Sequence, residues 1–486
     1  MSSNIRASLY VYSFSVALQA LTVISMGGIA DHREPYPPAS PGDSLTKTTP
    51  APHRKLLLLS FAALGSIAAT LFLLLPSSSP VWYLSALLAL SANVGFGASI
   101  VAMNAYIPSL AKEAPEVVKI WEDLQNLDHG SESDSDPDTS TENPSAPLLS
   151  PSNATSETKT QLEKEYQMEL SRATSRTSSL GIALGYGAGI CLLIVALVPV
   201  TKMGGSTFAL RLAIGLSGIW WAVFTIPAAL WLPNTTSSPA PTSASASQDK
   251  DFRIGHEILA AWIRLRDMLR VREVKKLRNT FKYLAAWFLL SDGFTTITST
   301  ALLFGKTTLH MSPSALILVG VLTPTAGIAG SLLWPVLQRR LGWSNLRILV
   351  VLVGMASMIP LYGCLGFLVQ GKVRFGGLTT QEEMFVLAVY FGSVYGAFQG
   401  YARAFYAELL PPGEEARWYG LFSITDKSSS FIGPLVVGLI ADVTGNIRFA
   451  FFFLVLMVWA AVPILMSVDV ERGRKDAQEY EYHSEI

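Results

Sequence analysis

A few ionisable side chains lie inside apolar stretches of this sequence, where a charge is unfavourable unless protein or water surrounds it. Asp292 stands in the phrase LLSDGFTT, and Arg403 follows Gln399 by four residues, which places both on one helix face. Asp426 and Lys427 are adjacent, so on a helix they need different partners, and we expect Asp426 to pair with Arg403. Such groups could bind the carboxylate and ammonium of a zwitterion, or Asp292 could carry a proton. The alternative is structural: Asp292 locks helices together by a polar contact, and Asp426 and Lys427 belong to a cytosolic gate or to structural ion pairs without substrate contact.

Two glycine repeats predict faces where helices pack closely or bend. The glycines that recur every four residues are Gly181, Gly185 and Gly189 in the first half and Gly392, Gly396 and Gly400 in the second. Each set forms one smooth stripe along a helix, which allows a neighbouring backbone to approach. Glu408 follows the second repeat, at the edge of its apolar stretch, where a capping or pairing role is expected.

The phrase GGIAD, from Gly27 to Asp31, ends the first apolar stretch, and Arg54 and Lys55 follow after a Pro-rich insert. Glycine lets a helix end approach its neighbour, and the carboxylate can meet a cation or a helix N-terminus. The phrase resembles the G-x-x-x-D-(R/K) signature of the major facilitator superfamily, with its basic part displaced by the insert. A related phrase, GLIAD, ends at Asp442 in the second half. The alternative is that both are ordinary helix-end caps.

Composition indicates which elements must position these residues. Half of the 486 residues are apolar and 15% are charged, whereas soluble proteins carry roughly 25% charged residues. A helix of about 20 apolar residues crosses the hydrocarbon core. The predicted spans are 8–30, 56–75, 81–107, 179–200, 209–232, 281–304, 313–336, 346–369, 384–405, 421–441 and 446–467. We therefore expect an all-α integral membrane protein with a major-facilitator-like fold of two bundles and about 11 transmembrane helices.

The long polar linker sets the predicted domain boundaries. Residues 1–232 form a five-span bundle, 233–280 a cytosolic linker with an amphipathic helix, 281–468 a six-span bundle and 469–486 a cytosolic tail. A repeated transporter would have equal halves. A first helix is therefore expected to be missing at the N-terminus, or the N-terminus is lumenal.

Two polar segments have contrasting compositions. Residues 112–178 are rich in Ser, Asp and Pro and are predicted to be a disordered cytosolic loop. Residues 254–280 predict a basic amphipathic helix with Trp262, Leu265 and Leu269 toward lipid. The side chains expected at the headgroups are Arg264, Arg266, Arg270 and Arg272. Most loop Lys and Arg lie on the same side as these segments, which predicts that side to be cytosolic.

Several function classes are excluded. The sequence has no Walker loop and no nucleophile elbow, so an ATP-driven pump and a hydrolase are not expected. None of the six histidines shares a motif with a carboxylate or cysteine set. We therefore expect no catalytic residues, no metal, no cofactor and no enzyme activity. The formal net charge is zero, which gives no general attraction to nucleic acid.

Together, LLSDGFTT, the stretch from Gly392 to Pro412, the phrase EEARWYGLFSITDKSSSFIGPLVVGLIADVTGNIRFAF and SVALQALTVISMGGIAD resemble the fungal autophagy-related protein twenty-two family. The resemblance implies a multi-pass protein of the vacuole membrane within the major facilitator superfamily. It implies export of leucine and other neutral amino acids after autophagic breakdown, by alternating access. Its expected partners are amino acids as solutes, the lipid bilayer and protons. The alternative is a non-transporting receptor or scaffold with a phosphorylatable cytosolic loop.

Overall fold

A computed structural model shows that the described part of the chain is helical and contains no strand. The described residues are 14–15, 17–27, 30, 53–76, 82–133, 151–203, 206–232, 254–369, 376–430 and 432–480. The predicted all-α class is confirmed.

The helices of the first half and the linker are α1 (Ala17–Gly27), α2 (His53–Leu71), α3 (Trp82–Asn104), α4 (Ile107–Lys112), α5 (Pro115–Ser133), α6 (Pro151–Lys202), α7 (Thr207–Trp231), α8 (Ile254–Met268) and α9 (Val271–Lys276). The helices of the second half are α10 (Arg278–Thr307), α11 (Pro313–Leu341), α12 (Asn345–Val369), α13 (Gln381–Ala407), α14 (Glu415–Ser429), α15 (Ile432–Thr444), α16 (Ala450–Met466) and α17 (Val470–Gln478). We call α1 to α3 with α6 and α7 the first bundle, and α10 to α16 the second bundle. The cytosolic end is the end that the charge distribution predicts to be cytosolic.

Seven helices of the described chain combine the length and the hydropathy needed to cross a membrane. Helices α10 and α13 are long enough, with 30 and 27 residues, but they carry more polar residues. The predicted span 421–441 is divided between α14 and α15, of 15 and 13 residues. The helices that depart from an apolar pattern are therefore those that carry Asp292, Arg403 and Asp426. The total of eleven spans stays a prediction.

The interior of the second bundle is an aromatic column between α10, α13 and α14. The Trp287 and Phe422 rings stack with centroids 4.4 Å apart, and those of Phe294 and Phe398 are 3.9 Å apart. Tyr406 extends the column by stacking on Phe422 at 4.9 Å. Close aromatic packing of this kind fixes the three helices relative to one another.

The structure differs from the prediction of disorder across 112–178. Helix α5 and the start of α6 are helical, and Val117 and Ala173 are buried between them. The Trp121 and Tyr166 rings lie 5.5 Å apart. Apolar residues on one face of each helix form this contact. They are few within a mostly polar segment, so the average composition of the segment predicted disorder. Residues 134–150 lie outside the described residues.

Helix α8 also differs from its predicted environment. Trp262 donates a hydrogen bond to Ser25 Oγ of α1 at 3.1 Å, and Leu265 packs against the main core. Leu269 is exposed, as are Arg266 and Arg270. The apolar stripe of α8 therefore rests largely on protein. Arg266, Arg270 and Arg272 are exposed as predicted, but Arg264 pairs with Glu414 of the second bundle instead of facing headgroups.

Candidate functional site

The glycine repeat of α13 brings three helices together. A Cβ at Gly396 would lie 2.3 Å from the Gly327 carbonyl oxygen of α11, and one at Gly392 would lie 2.1 Å from the Thr323 carbonyl oxygen. At Gly400 the neighbour is α6, with Ser179 Cα at 3.0 Å. The glycine face of α13 therefore packs closely on α11 of its own bundle and, at Gly400, on α6 of the first bundle.

The repeat of α6 has a different environment. Gly181, Gly185 and Gly189 are exposed, and a Cβ at any of them would meet no atom within 4 Å. Tyr186, between them, points to α11, where its ring lies within 3 Å of a Cβ built at Gly327. The structure thus provides no packing partner for this glycine face among the described residues.

Arg403 is the central cation of the candidate site. It is half-buried and lies within electrostatic range of Tyr186, Tyr395, Tyr419 and Asp426. Its guanidinium makes no hydrogen bond or ion pair with the residues that the structure describes. Arg403 thus presents an unpaired positive charge where α6 of the first bundle faces α13 and α14 of the second.

Two other polar side chains near Arg403 are already hydrogen-bonded within the protein. Gln399 donates from Nε2 to the Tyr395 hydroxyl at 2.8 Å. The Tyr419 hydroxyl donates to the backbone carbonyl of Arg403 at 3.1 Å. Gln399 and Arg403 share a face as predicted, and Tyr186 and Tyr419 complete the surroundings of the cation.

Asp426 is partly accessible and does not form the predicted ion pair with Arg403. It accepts a hydrogen bond from the Ser291 hydroxyl of α10, and Lys427 Nζ lies 3.8 Å from its Oδ2. Its side chain is 35% exposed and that of Lys427 is 39% exposed. Asp426 of α14 and Arg403 of α13 therefore face the same region without forming an ion pair with each other.

Asp292 is committed to a different partner. It is 2% exposed, and its two carboxylate oxygens accept the backbone N–H of Gly433 at 3.1 and 2.9 Å. Thr296 donates to Oδ1 at 3.2 Å. Gly433 lies in the first turn of α15, where unpaired N–H groups and the helix dipole favour an anion. Asp292 and Ser291 of α10 thus hold both halves of the interrupted helix, α15 and α14.

Bonds between the bundles close the cytosolic end. Arg54 at the start of α2 forms a buried ion pair with Glu415 of α14 at 2.6 Å, and it also donates to the Ala105 carbonyl at 3.3 Å. Burial alone would raise the pKa of Glu415, but Arg54 and the backbone N–H of Gly413 lower it below its usual value. Removing one partner of such a pair leaves an uncompensated buried charge.

Glu408 gathers a second set of contacts at this end. It accepts hydrogen bonds from Ser171 of α6 at 2.7 Å and Asn345 of α12 at 2.6 Å, and it pairs with Arg474 of α17. Its expected pairing role thus joins both bundles and the tail helix. The neighbouring Ser175 hydroxyl donates to Gln338 at 2.9 Å.

The residues of the GGIAD and GLIAD phrases, and the basic residues after the insert, lie in different environments. Gly27 lies against α14, where a Cβ would be 3.1 Å from Arg417 Cα. Arg54 of the displaced basic part makes the Glu415 ion pair. Asp442 is exposed on α15, and Asp31 lies outside the described residues.

Sequence reasoning did not identify Glu415 or Tyr186 as site residues. Glu415 is 361 residues from Arg54, so no local spacing connects them. Tyr186 was visible only as an aromatic residue within a glycine repeat.

The fold can be compared with solved structures. The chain is similar to the fucose:proton symporter of E. coli, with a TM-score of 0.54 and 14% identity over 94% of this chain and 90% of that one. It is also similar to the proton:xylose symporter XylE, with a TM-score of 0.52 and 13% identity over 96% of this chain and 88% of that one. These similarities define the fold as that of the major facilitator superfamily. Together with the apolar helices of membrane-spanning length, this fold makes the chain a multi-pass membrane protein of the transporter type.

Sequence comparisons define the family within that class. The family described as "Vacuole effluxer Atg22 like" matches residues 6–478. The chain is 40% identical to autophagy-related protein 22 of Cryptococcus neoformans, over 97% of this chain and 83% of that protein. It is 38% identical to autophagy-related protein 22-1 of Neosartorya fischeri, over 97% and 75%. The chain belongs to the Atg22-like vacuole effluxer family, which confirms the resemblance in the sequence.

Proposed function

We propose that this transporter exports neutral amino acids, leucine among them, from the vacuole lumen to the cytosol by alternating access. The observation that supports the proposal is the separated charge pair, Arg403 and Asp426, beside Tyr186. Charges of opposite sign that face one region without contact can each bind one end of a zwitterion. Its location would be the vacuole membrane.

The chemistry of an amino acid matches these groups. The planar guanidinium of Arg403 offers two parallel donors to a carboxylate, a geometry that an ammonium cannot provide. The Asp426 carboxylate would accept hydrogen bonds from the substrate ammonium, which would compete with the Lys427 ammonium for that carboxylate. The neighbouring tyrosine rings would pack on the carbon atoms of the substrate.

Asp292 has a separate role in this proposal. Since its oxygens are already bound to Gly433 and Thr296, it is a poor candidate for direct substrate contact. We assign it to coupling: a proton taken up by its carboxylate would weaken its bonds to α15 and so link protonation to the interrupted helix. Protons are therefore the proposed coupling ion.

Closure of the cytosolic end agrees with one state of an alternating-access cycle. The Arg54–Glu415 pair and the Glu408 contacts join the bundles only while this end is shut. Rocking of the bundles would break them and expose the central site to the cytosol. The contacts thus act as the cytosolic gate.

Leucine counterflow in liposomes containing the purified protein tests the proposal. We expect Arg403→Lys to reduce the rate at least about tenfold, because Lys cannot form the bidentate contact. Asp426→Asn should raise the KM for leucine, because an amide no longer attracts the ammonium. Arg340→Lys, on an exposed cytosolic helix end, is the matched control and should transport normally.

Two outcomes would contradict the proposal. Equal counterflow by the wild type and Arg403→Lys would remove Arg403 from the site. Absence of leucine counterflow by the wild-type protein, with normal folding in detergent, would favour the receptor or scaffold alternative.

A further inference from the structure

Helix α8 lies across the two bundles at the cytosolic end. It belongs to the linker that joins them, yet it packs on both rather than extending away from either. Its buried residues are Ala261 and Met268, with 6% and 3% exposure. Those residues are seven apart and therefore lie on one helix face.

The first bundle is contacted through α1. Trp262 Nε1 donates to Ser25 Oγ at 3.1 Å, and Ser25 in turn donates to the Leu21 carbonyl of its own helix at 2.9 Å. Val23 and Ile24 line the same narrow crevice as Ala261. The indole of α8 is thus held by the cytosolic half of α1.

The second bundle is contacted through the start of α14. Arg264 forms an ion pair with Glu414, and Arg417 lies 3.8 Å from the same carboxylate. Leu265 and Leu421 line the crevice from the α8 and α14 sides. Both members of the Arg264–Glu414 pair are largely buried, with side-chain exposures of 21% and 17%.

We propose that α8 is a clasp that stabilises the closed cytosolic end and must release one bundle before that end can open. The inference rests on the proposed alternating access. Two residues of α8, Trp262 and Arg264, bind α1 and α14 respectively, and those helices must separate at this end when the bundles rock. A rigid helix cannot follow both helices as they move apart, so at least one of the two contacts breaks in each cycle.

Charge reversal tests the clasp through conformation rather than transport. Spin labels at Lys119 of α5 and Arg340 of α11, both exposed, would report the distance between the cytosolic ends by pulsed electron resonance. We expect Arg264→Glu to raise the ratio of open to closed molecules at least about tenfold, the size of one lost charge-assisted bond. Glu414→Arg should act in the same direction, and the double variant Arg264→Glu with Glu414→Arg should return toward the wild-type distribution.

Arg266→Glu is the matched control, since Arg266 lies on the same helix and its side chain is 67% exposed. It should leave the distances unchanged. Equal distance distributions for the wild type and Arg264→Glu would overturn the clasp, as would an equal shift for Arg266→Glu.

A cross-link tests whether release is required. Ser25→Cys with Trp262→Cys, in a background with Cys191→Ser and Cys364→Ser, would be joined by a bifunctional methanethiosulfonate reagent to tie α8 to α1, because the two backbones lie too far apart for a direct disulfide. The same reagent on Leu265→Cys with Leu421→Cys would tie α8 to α14. We expect both cross-links together to block leucine counterflow and reducing agent to restore it, whereas either alone leaves one side free. Undiminished counterflow with both cross-links formed would overturn the clasp. If the wild type fails to transport leucine, the distance measurements still decide the clasp, so the two failures are distinguishable.

Discussion

The two glycine repeats have the same spacing and opposite environments. On α13, Gly396 lies against the backbone of α11, while on α6 Gly185 has no atom within 4 Å of its Cβ position. The spacing alone specifies a smooth stripe on a helix. Whether another helix packs on that stripe depends on the tertiary arrangement, which the local sequence pattern does not indicate. The comparison shows that a residue type at a given spacing defines a possibility, and the surroundings decide its use.

The largest expected effect comes from filling the packed stripe. In Gly396→Leu, the new Cβ would lie 2.3 Å from the Gly327 carbonyl oxygen, a backbone atom that cannot rotate away. We expect a loss of more than about 3 kcal/mol of stability, at the upper end for overpacked sites. Thermal unfolding in detergent, followed by size-exclusion chromatography, measures the change.

Gly185→Leu is the matched substitution on the glycine repeat of α6, where the new Cβ would meet no atom within 4 Å. It should leave the melting temperature within about 2 °C of the wild type, since surface changes are usually within ±0.5 kcal/mol. A large loss for Gly185→Leu would show that the α6 stripe is covered in the membrane, and the contrast between the repeats would fail.

The part of the fold that could be predicted is the part that local pattern determines. The helices and the close packing at Gly392, Gly396 and Gly400 follow from local pattern, because periodicity and small residues act within a few turns. The helical pairing of α5 with α6 was not predicted, because its apolar contacts, such as Val117 with Ala173, are sparse within a polar segment. The protein environment of α8 was also not predicted, because an amphipathic stripe fits lipid and protein equally well.

For the candidate site, the sequence indicates residue types but not their partners. Asp292 was identified because a carboxylate is rare in such a stretch, yet its partner Gly433 lies 141 residues away. The predicted contact between Arg403 and Asp426 does not form, since Asp426 is held by Ser291 and Lys427. Side chains on separate helices are brought together by tertiary packing, and such pairs cannot be read from the local pattern of a single sequence.

A third glycine sharpens the comparison, because its close neighbours are the side chains of Thr296 and Asp292 rather than the backbone of a helix. In Gly433→Ala, the Cβ would lie 1.9 Å from Thr296 Oγ1 and 2.8 Å from Asp292 Oδ1. The hydroxyl can rotate away but the buried carboxylate has little room, so we expect a loss of about 2 kcal/mol. Gly438→Ala, on the same helix with nothing within 4 Å, should be neutral or slightly stabilising because alanine favours helix. Similar melting temperatures for the two variants would mean that the Asp292 contact is not tight.

The smallest expected effect comes from a comparison of two glutamates, Glu382 and Glu383, in the first turn of α13. This turn lies at the predicted lumenal end, before the predicted span 384–405. Glu383 is 8% exposed, whereas Glu382 is exposed to solvent. Glu383 accepts hydrogen bonds from the Tyr362 hydroxyl at 2.5 Å and from the Thr380 backbone N–H at 2.9 Å. Burial opposes its ionisation, but these bonds and those from Thr379 and Gly376 outweigh burial and lower the pKa of Glu383 from 4.5 to about 2.

The sign of the pH dependence follows from that lowered pKa. A group with a lower pKa when folded stabilises fully above its unfolded value and loses its contribution as pH falls through its folded value. Glu383→Gln should therefore cost at least about 1 kcal/mol, the contribution of a charged cap, and this difference should stay constant from pH 7 to 5. It should shrink only as pH falls from 4.5 toward 2, as measured by melting temperature in detergent. Glu382→Gln should match the wild type throughout, and a difference for Glu383→Gln that disappears between pH 7 and 5 would show that Glu383 titrates at its ordinary pKa, because its surroundings do not favour its charge.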